Sequence, residues 1–166
     1  SEVDGERLTD SEIQWFFLLL VNAGGDTTRN LLAAAIDLLL AHPDQHRRLL
    51  ADIDGLLPSA IEEFLRYSTP VVHFRRTATT DTELGGRAIR EGDKVVVWYG
   101  AANRDPSVFA EPDRLDIARS PNPHLAFGGG GPHLCLGIHL ARLEIDAVLR
   151  EVLSRIRAQL RRAYGE

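Results

Sequence analysis

Apolar residues run almost without a break from Ile13 to Val21 and again from Leu31 to Leu40, with small and polar residues between the two runs. The pattern predicts one long helix from Thr9 to about Ala41. Thr9 and Glu12 have the spacing of a capping box at its start. His42-Pro43 ends it, because a residue before proline resists helical geometry. A second helix is expected over Pro43 to Asp52 and a third over Ser59 to Tyr67, closed by Pro70. From Val71 to Trp98 the alternation turns to β. Segments at His73–Ala78, Thr82–Leu84, Arg87–Ile89 and Lys94–Trp98 are separated by turn signals at Gly85-Gly86 and Glu91-Gly92-Asp93. Ala101 to Pro123, rich in Pro, Asp, Asn and Arg, reads as an irregular but ordered loop. A glycine-rich loop and a last helix, about Leu136 to Arg162, complete the chain. No stretch has linker composition, so no domain boundary falls within residues 1–166, which read as mainly α with a small β portion.

Composition narrows the function classes. At 166 residues and 44% hydrophobic content the chain can bury one ordinary core. A net charge of −5 argues against a general nucleic-acid binder. One cysteine fits a reducing, cytoplasmic setting. No secretory signal is visible, and the most apolar run, Trp15 to Val21, is too short to span a bilayer before Asn22 interrupts it. The chain has no methionine, so Ser1 reads as a cut end and the chain as a fragment.

Three local patterns carry candidate chemistry. The first is FGGGGPHLCLG, Phe127 to Gly137, which sets the only cysteine in a glycine-rich loop just before a helix. Bare glycine backbone can approach Cys135, and the following helix N-terminus favours a thiolate. His133 and His139 flank it, so a thiolate metal ligand and an inert buried thiol are both open at this level. Nucleotide binding is a poor explanation, since no Gly-Lys-Ser/Thr follows and the GxGxxG spacing is absent. The second pattern is Gly24-Gly25-Asp26-Thr27-Thr28 inside the long helix. Each mid-helix glycine costs about 1 kcal/mol against alanine, and threonines there can bond back to earlier carbonyls. Either small residues admit a helix-packing contact, or the helix opens locally beside an acid and a hydroxyl. The third is Glu63 and Arg66, three apart on one helix face, with Arg75, Arg76, Arg104, Arg114 and Arg119 downstream. Alone, such a pair is a solvated contact of little weight.

Together these residues resemble the C-terminal half of a cytochrome P-450. AGGDTT (Ala23–Thr28) is similar to the family's oxygen-groove motif, and EFLR (Glu63–Arg66) to its ExxR helix. RTATTD (Arg76–Asp81) and AANRDP (Ala101–Pro106) resemble its propionate-contacting strand and its meander. HLAFGGGGPHLCLG resembles its thiolate loop, and ARLE (Ala141–Glu144) the helix that follows. The resemblance implies the C-terminal part of the cytochrome P-450 fold and a haem-thiolate monooxygenase. Its implied cofactor is haem b, with O2 as co-substrate, a hydrophobic small-molecule substrate, and a ferredoxin or reductase as electron donor. Nucleic acid and membrane are not implied partners. Cys135 would be the axial ligand of the haem iron. His133 and Arg76 would hold propionates, Phe127 would pack beneath the ligand loop, and Gly129 and Gly137 would shape it. Ala23 and Gly24 would border the haem and its oxygen, while Asp26 and Thr27 would deliver protons. Glu63, Arg66 and Arg119 would form a buried structural ion-pair network. Leu18, Asn22, Val71, Val72 and His73 would lie near substrate.

The chain departs from the family in three ways. One residue, most simply a glycine, is inserted between Phe127 and Cys135. The region before the central helix is absent, and the tail RIRAQLRRAYGE ends without the closing β-hairpin. The alternatives are an inactive fragment with little or no haem binding of its own, and a small metal module built on His133, Cys135 and His139.

Overall fold

The computed structural model describes residues 2–3 and 5–164; the expectations at Ser1 and at the Gly165-Glu166 end lie outside them. A short hairpin, β1 (Glu2–Val3) with β2 (Glu6–Arg7), precedes the long helix α1 (Asp10–Ala41). Thr9 caps α1 as its spacing predicts. The Glu12 amide donates to Thr9 Oγ1 at 3.3 Å, and the Thr9 amide donates to Glu12 Oε2 at 2.8 Å. His42 stops the helix, its amide donating to the Leu38 carbonyl at 3.0 Å, and Pro43 opens α2 (Pro43–Ala51).

The third helix begins earlier than expected. α3 spans Ile53–Ser68, because Asp52 accepts from the Gly55 amide at 2.9 Å and so supplies a cap ahead of Ser59. Pro58 inside α3 removes one amide donor without ending the helix. Ser59 Oγ then donates to the Ile117 carbonyl at 2.7 Å, tying α3 to the later irregular stretch. α3 closes on Thr69, whose φ of 45° is left-handed. That backbone is held by Thr69 Oγ1, which donates to the Arg66 carbonyl at 2.7 Å and accepts from Asn103 Nδ2 at 3.0 Å.

After α3 come two further antiparallel pairs. β3 (His73–Thr77) pairs β6 (Lys94–Trp98) from His73↔Trp98 to Thr77↔Lys94. β4 (Thr82–Leu84) pairs β5 (Arg87–Ile89) across Gly85-Gly86, both at positive φ as a two-residue hairpin turn requires. A single helical turn, α4 (Tyr99–Ala102), follows. Beyond it the chain is irregular but hydrogen-bonded up to α5 (Ile138–Tyr164). α5 starts later than expected because Cys135 to Gly137 form a turn ahead of it.

α1, α3 and α5 pack against one another around one core. Leu31, Ala35 and Leu39 give α1 a buried seam at four-residue spacing, and Ile145, Leu149 and Leu153 do the same for α5. Only the second half of α1 takes part. Every residue from Asp10 to Asp26 is exposed. Among the described residues, no helix is long and apolar enough to cross a membrane.

Candidate functional site

The glycine-rich loop is built on left-handed backbone. Gly128, Gly130 and Gly131 have φ of 92°, 96° and 71°, which other residues adopt only with strain. At Gly128 an added Cβ would also stand 3.4 Å from the His133 carbonyl oxygen. A 3₁₀ turn at Gly131–His133 brings the chain back, and the Cys135 amide donates to the Phe127 carbonyl at 3.0 Å. Phe127 is half-buried and packs on the core. The four glycines thus carry the chain from Phe127, which packs against the core, to Cys135. Cys135 is exposed and its thiol unpaired, so it is not a buried inert hydrophobe. The Ile138 amide donates to the Cys135 carbonyl at 3.3 Å, which places the cysteine just ahead of the first turn of α5.

On α1 the helix continues unbroken through Gly24 and Gly25, so no local opening of the backbone is present. Nor do the glycines admit a packing partner, because a Cβ at either would meet nothing within 4 Å. What they leave is bare helix surface. Thr27 Oγ1 donates to the Ala23 carbonyl at 2.7 Å. Asp26 accepts from Arg29 and from Asn30 Nδ2, the latter at 3.3 Å. Val21, Asn22, Gly25, Asp26 and Arg29 line an open cleft of about 280 Å³. Leu18 is exposed one turn earlier. Val72 lines a separate cleft of about 250 Å³ with Tyr67, Trp98 and Arg104, while His73 stacks on Trp98 with ring centroids 4.8 Å apart.

Glu63 and Arg66 are wholly buried and paired at both ends. Arg66 Nε and Nη2 each donate to Glu63 at 2.8 Å. Arg119 Nε adds contacts at 3.2 and 3.3 Å, Asn122 Nδ2 one at 3.2 Å, and the Asp116 amide one at 3.0 Å. Arg66 Nη1 also donates to the carbonyls of Asn103 and Pro112, both at 2.8 Å. This pair is not a solvated contact. It pins the irregular stretch to α3, and that stretch leads directly into the glycine loop.

Beside it lies a cluster that local spacing does not reveal. Arg142, in the first turns of α5, donates through Nε and Nη2 to Glu62 at 2.7 and 2.8 Å. His124 Nε2 reaches the same carboxylate at 2.9 Å, and the Ala126 amide donates to His124 Nδ1 at 3.2 Å. Since Nδ1 accepts, the proton sits on Nε2 and the ring donates to Glu62. Partial burial, the largest single influence, pushes the Glu62 carboxyl up. Hydrogen bonds from Arg142 and His124, with the Arg142 charge beside them, outweigh it and hold the group at about 2.

A family model described as Cytochrome P450 matches residues 1–163. The chain belongs to the cytochrome P450 family. It is 53% identical over 152 residues to a methyl-branched lipid omega-hydroxylase of Mycobacterium tuberculosis (strain ATCC 25618 / H37Rv), covering 92% of this chain and 36% of the relative. It is 47% identical to a steroid C26-monooxygenase of Mycolicibacterium smegmatis, covering 94% of the chain and 38% of the relative. A Mycobacterium marinum cytochrome P450 solved in complex with pseudoionone superposes with a TM-score of 0.88 at 51% identity, over 93% of this chain and 37% of that one. The chain therefore spans well under half the length of these P450 relatives.

In this P450 chain the structure joins Phe127 to Cys135, and Glu63 to Arg66 and Arg119. Ala23, Gly24, Asp26 and Thr27 share one segment of α1. Arg76 stands apart on exposed β3, its Nη1 donating to the Arg75 carbonyl at 3.1 Å and its guanidinium 5.7 Å from the Phe74 ring centroid. His133 is exposed in the 3₁₀ turn. Gly129 and Gly137 are not sterically forced, for a Cβ at Gly129 meets only Leu125 at 3.9 Å and at Gly137 nothing. Among the described residues no three of His, Cys, Asp and Glu are placed to hold a metal ion. His133, Cys135 and His139 therefore do not make a small metal module.

Proposed function

We propose that the chain carries the thiolate loop and the oxygen-side helix of a haem-thiolate monooxygenase acting on a hydrophobic organic substrate. One observation carries the reading: an exposed, unpaired Cys135 held by its own amide to Phe127, at the end of a loop of bare glycine backbone and ahead of a helix N-terminus. The donor set fits haem b. A thiolate ligates iron, and the open surfaces at Gly24, Gly25, Gly130 and Gly137 let a flat macrocycle lie against backbone. Bound haem with a cysteine thiolate supplies dioxygen activation and oxygen-atom transfer, one atom entering the substrate and the other leaving as water.

The chain's residues supply the rest. Cys135 ligates the iron, and Phe127, Gly129 and Gly137 hold its loop. His133 and Arg76 offer cationic or donor groups to the haem propionates. Ala23 and Gly24 border the oxygen side, where the Thr27 hydroxyl and the Asp26 carboxylate move protons inward. Leu18, Asn22, Val71 and Val72 face the substrate, which we take to be largely apolar, in keeping with the names of the lipid and steroid relatives. Electrons come from a ferredoxin or reductase.

A reduced, carbon-monoxide-treated sample tests the reading. Thiolate-ligated haem gives a strongly red-shifted Soret band, which Cys135→Ala abolishes. A protein that takes up haem yet shows no red-shifted band would overturn the proposal. The exposed apolar half of α1 favours a second reading, in which these 166 residues by themselves hold haem weakly. Haem titration of the isolated chain separates the two.

A further inference from the structure

From Gly129 to Leu136 every residue of the cysteine loop is exposed, so none anchors Cys135 to the core. The loop is tethered at two places, Phe127 on one side and the start of α5 on the other. Arg142 touches both. It belongs to α5, and its guanidinium carbon lies 4.8 Å from the Phe127 ring centroid. The Glu62 carboxylate of α3 fixes that guanidinium with two hydrogen bonds. His124 shares the carboxylate, and its ring lies 6.1 Å from the same phenyl centroid. The Phe127 carbonyl in turn receives the Cys135 amide at 3.0 Å.

The geometry points to Arg142 as a positioning residue for Cys135: braced by Glu62 and His124, its flat face holds Phe127 and thereby the amide bond that sets the place of the sulfur. A bidentate fork and a planar cation are both needed, so lysine is no substitute at this position. Glu63, Arg66 and Arg119 act elsewhere, pinning the irregular stretch without touching the Phe127 ring. The inference rests on the haem-thiolate reading for its spectroscopic readout alone, since the placement of the Cys135 amide exists without haem.

Three variants test it: Arg142→Met, Arg142→Lys, and Arg150→Met as a control. Arg150 lies on the same helix and pairs with Asp146 and Asp54, away from the loop. Hydrogen exchange of the Cys135 amide, read by NMR, is the first measurement. Arg142→Met should speed it by about tenfold, the order expected for losing charge-assisted hydrogen bonds, whereas Arg150→Met leaves it unchanged. Arg142→Lys should recover most of the thermal stability, because a cation still faces Glu62, while the Cys135 amide stays fast. The second measurement is the reduced carbon-monoxide spectrum of the haem-loaded protein. Arg142→Met and Arg142→Lys should raise the fraction lacking the red-shifted band and weaken haem retention by about tenfold. If stability and Cys135 protection fall and recover together across the variants, Arg142 is merely structural and the inference fails. If the parent protein never shows the red-shifted band, the haem-thiolate reading fails, and the exchange rates still decide the role of Arg142.

Discussion

At Glu63 a single carboxylate, wholly removed from water, accepts from Arg66, Arg119, Asn122 and the Asp116 amide. Removing one member of such a network strands the others, which costs about 3–5 kcal/mol against a typical domain stability of about 5–15 kcal/mol. Glu63→Ala should therefore give little folded protein and no cooperative thermal transition, whatever the haem supply. A sharp melt near that of the parent would contradict it. Glu62, one residue earlier, affects stability through pH. Its folded carboxyl titrates at about 2 against an ordinary 4.5, so the stability it contributes is complete above pH 4.5 and drains away as pH falls toward about 2. Because Glu62 is partly exposed, solvent screens part of the effect. Glu62→Gln should flatten this part of the acid limb in melts recorded across the window. An unchanged acid limb would place the titration elsewhere. Thr27 tests the oxygen side. General acid catalysis contributes on the order of 10²–10⁴-fold, so Thr27→Ala should lower product per electron by about tenfold or more in the haem-loaded protein, the difference appearing as hydrogen peroxide. Unaltered coupling would remove Thr27 from proton delivery.

Among the elements, α1 divides at Thr28. Beyond it, the four-residue seam of Leu31, Ala35 and Leu39 explains the burial. Before it, Ile13 to Val21 are apolar on every face and stand in solvent, with Trp15 69% and Phe17 67% exposed. Between the halves, Gly24 and Gly25 weaken a helix that would be stronger with alanine, since no neighbour limits a Cβ. Gly24→Ala should then stabilise the haem-free protein by about 0.5–1 kcal/mol and weaken its haem complex. Paired melts and haem titrations check this, and stabilisation of both forms would mean that nothing lies against Gly24. Much of this layer was readable beforehand. The Thr9–Glu12 box, His42-Pro43, and the turns at Gly85-Gly86 and Glu91-Gly92-Asp93 are local devices, and the two turns set the strand bounds at Thr82–Leu84, Arg87–Ile89 and Lys94–Trp98. α3 starts ahead of the expected Ser59 because the Asp52 cap opens the helix before Gly55 and Pro58, two residues of low helix propensity. The single turn α4 carries no periodicity at all.

For the whole molecule, the motif order reveals the family, and it marks the Phe127–Cys135 loop and the Glu63–Arg66 pair that the fold joins. It does not mark the brace around the cysteine loop. His124 and Arg142 reach Glu62 across 62 and 80 residues, and no spacing rule links side chains so far apart. α1, α2, α3 and α5 form a packed core, stapled to the irregular stretch by Glu63 and Arg66, while the first half of α1 and most strand residues are exposed. Contiguous apolar patches beyond a few hundred Å² are rare on soluble monomers and mark surfaces that are covered by something. The residues Trp15, Phe16, Phe17 and Leu19, all about half or more exposed, form such a stretch on the helix that also carries Gly24 and Thr27. The isolated chain should therefore self-associate and take up haem weakly, even though its core and cysteine loop are in place. Sedimentation velocity reads the association, and replacing Trp15 and Leu19 by lysine should reduce it without changing the melt of the core. A chain that stays monomeric and binds haem stoichiometrically would show that the core side alone is enough to hold the macrocycle.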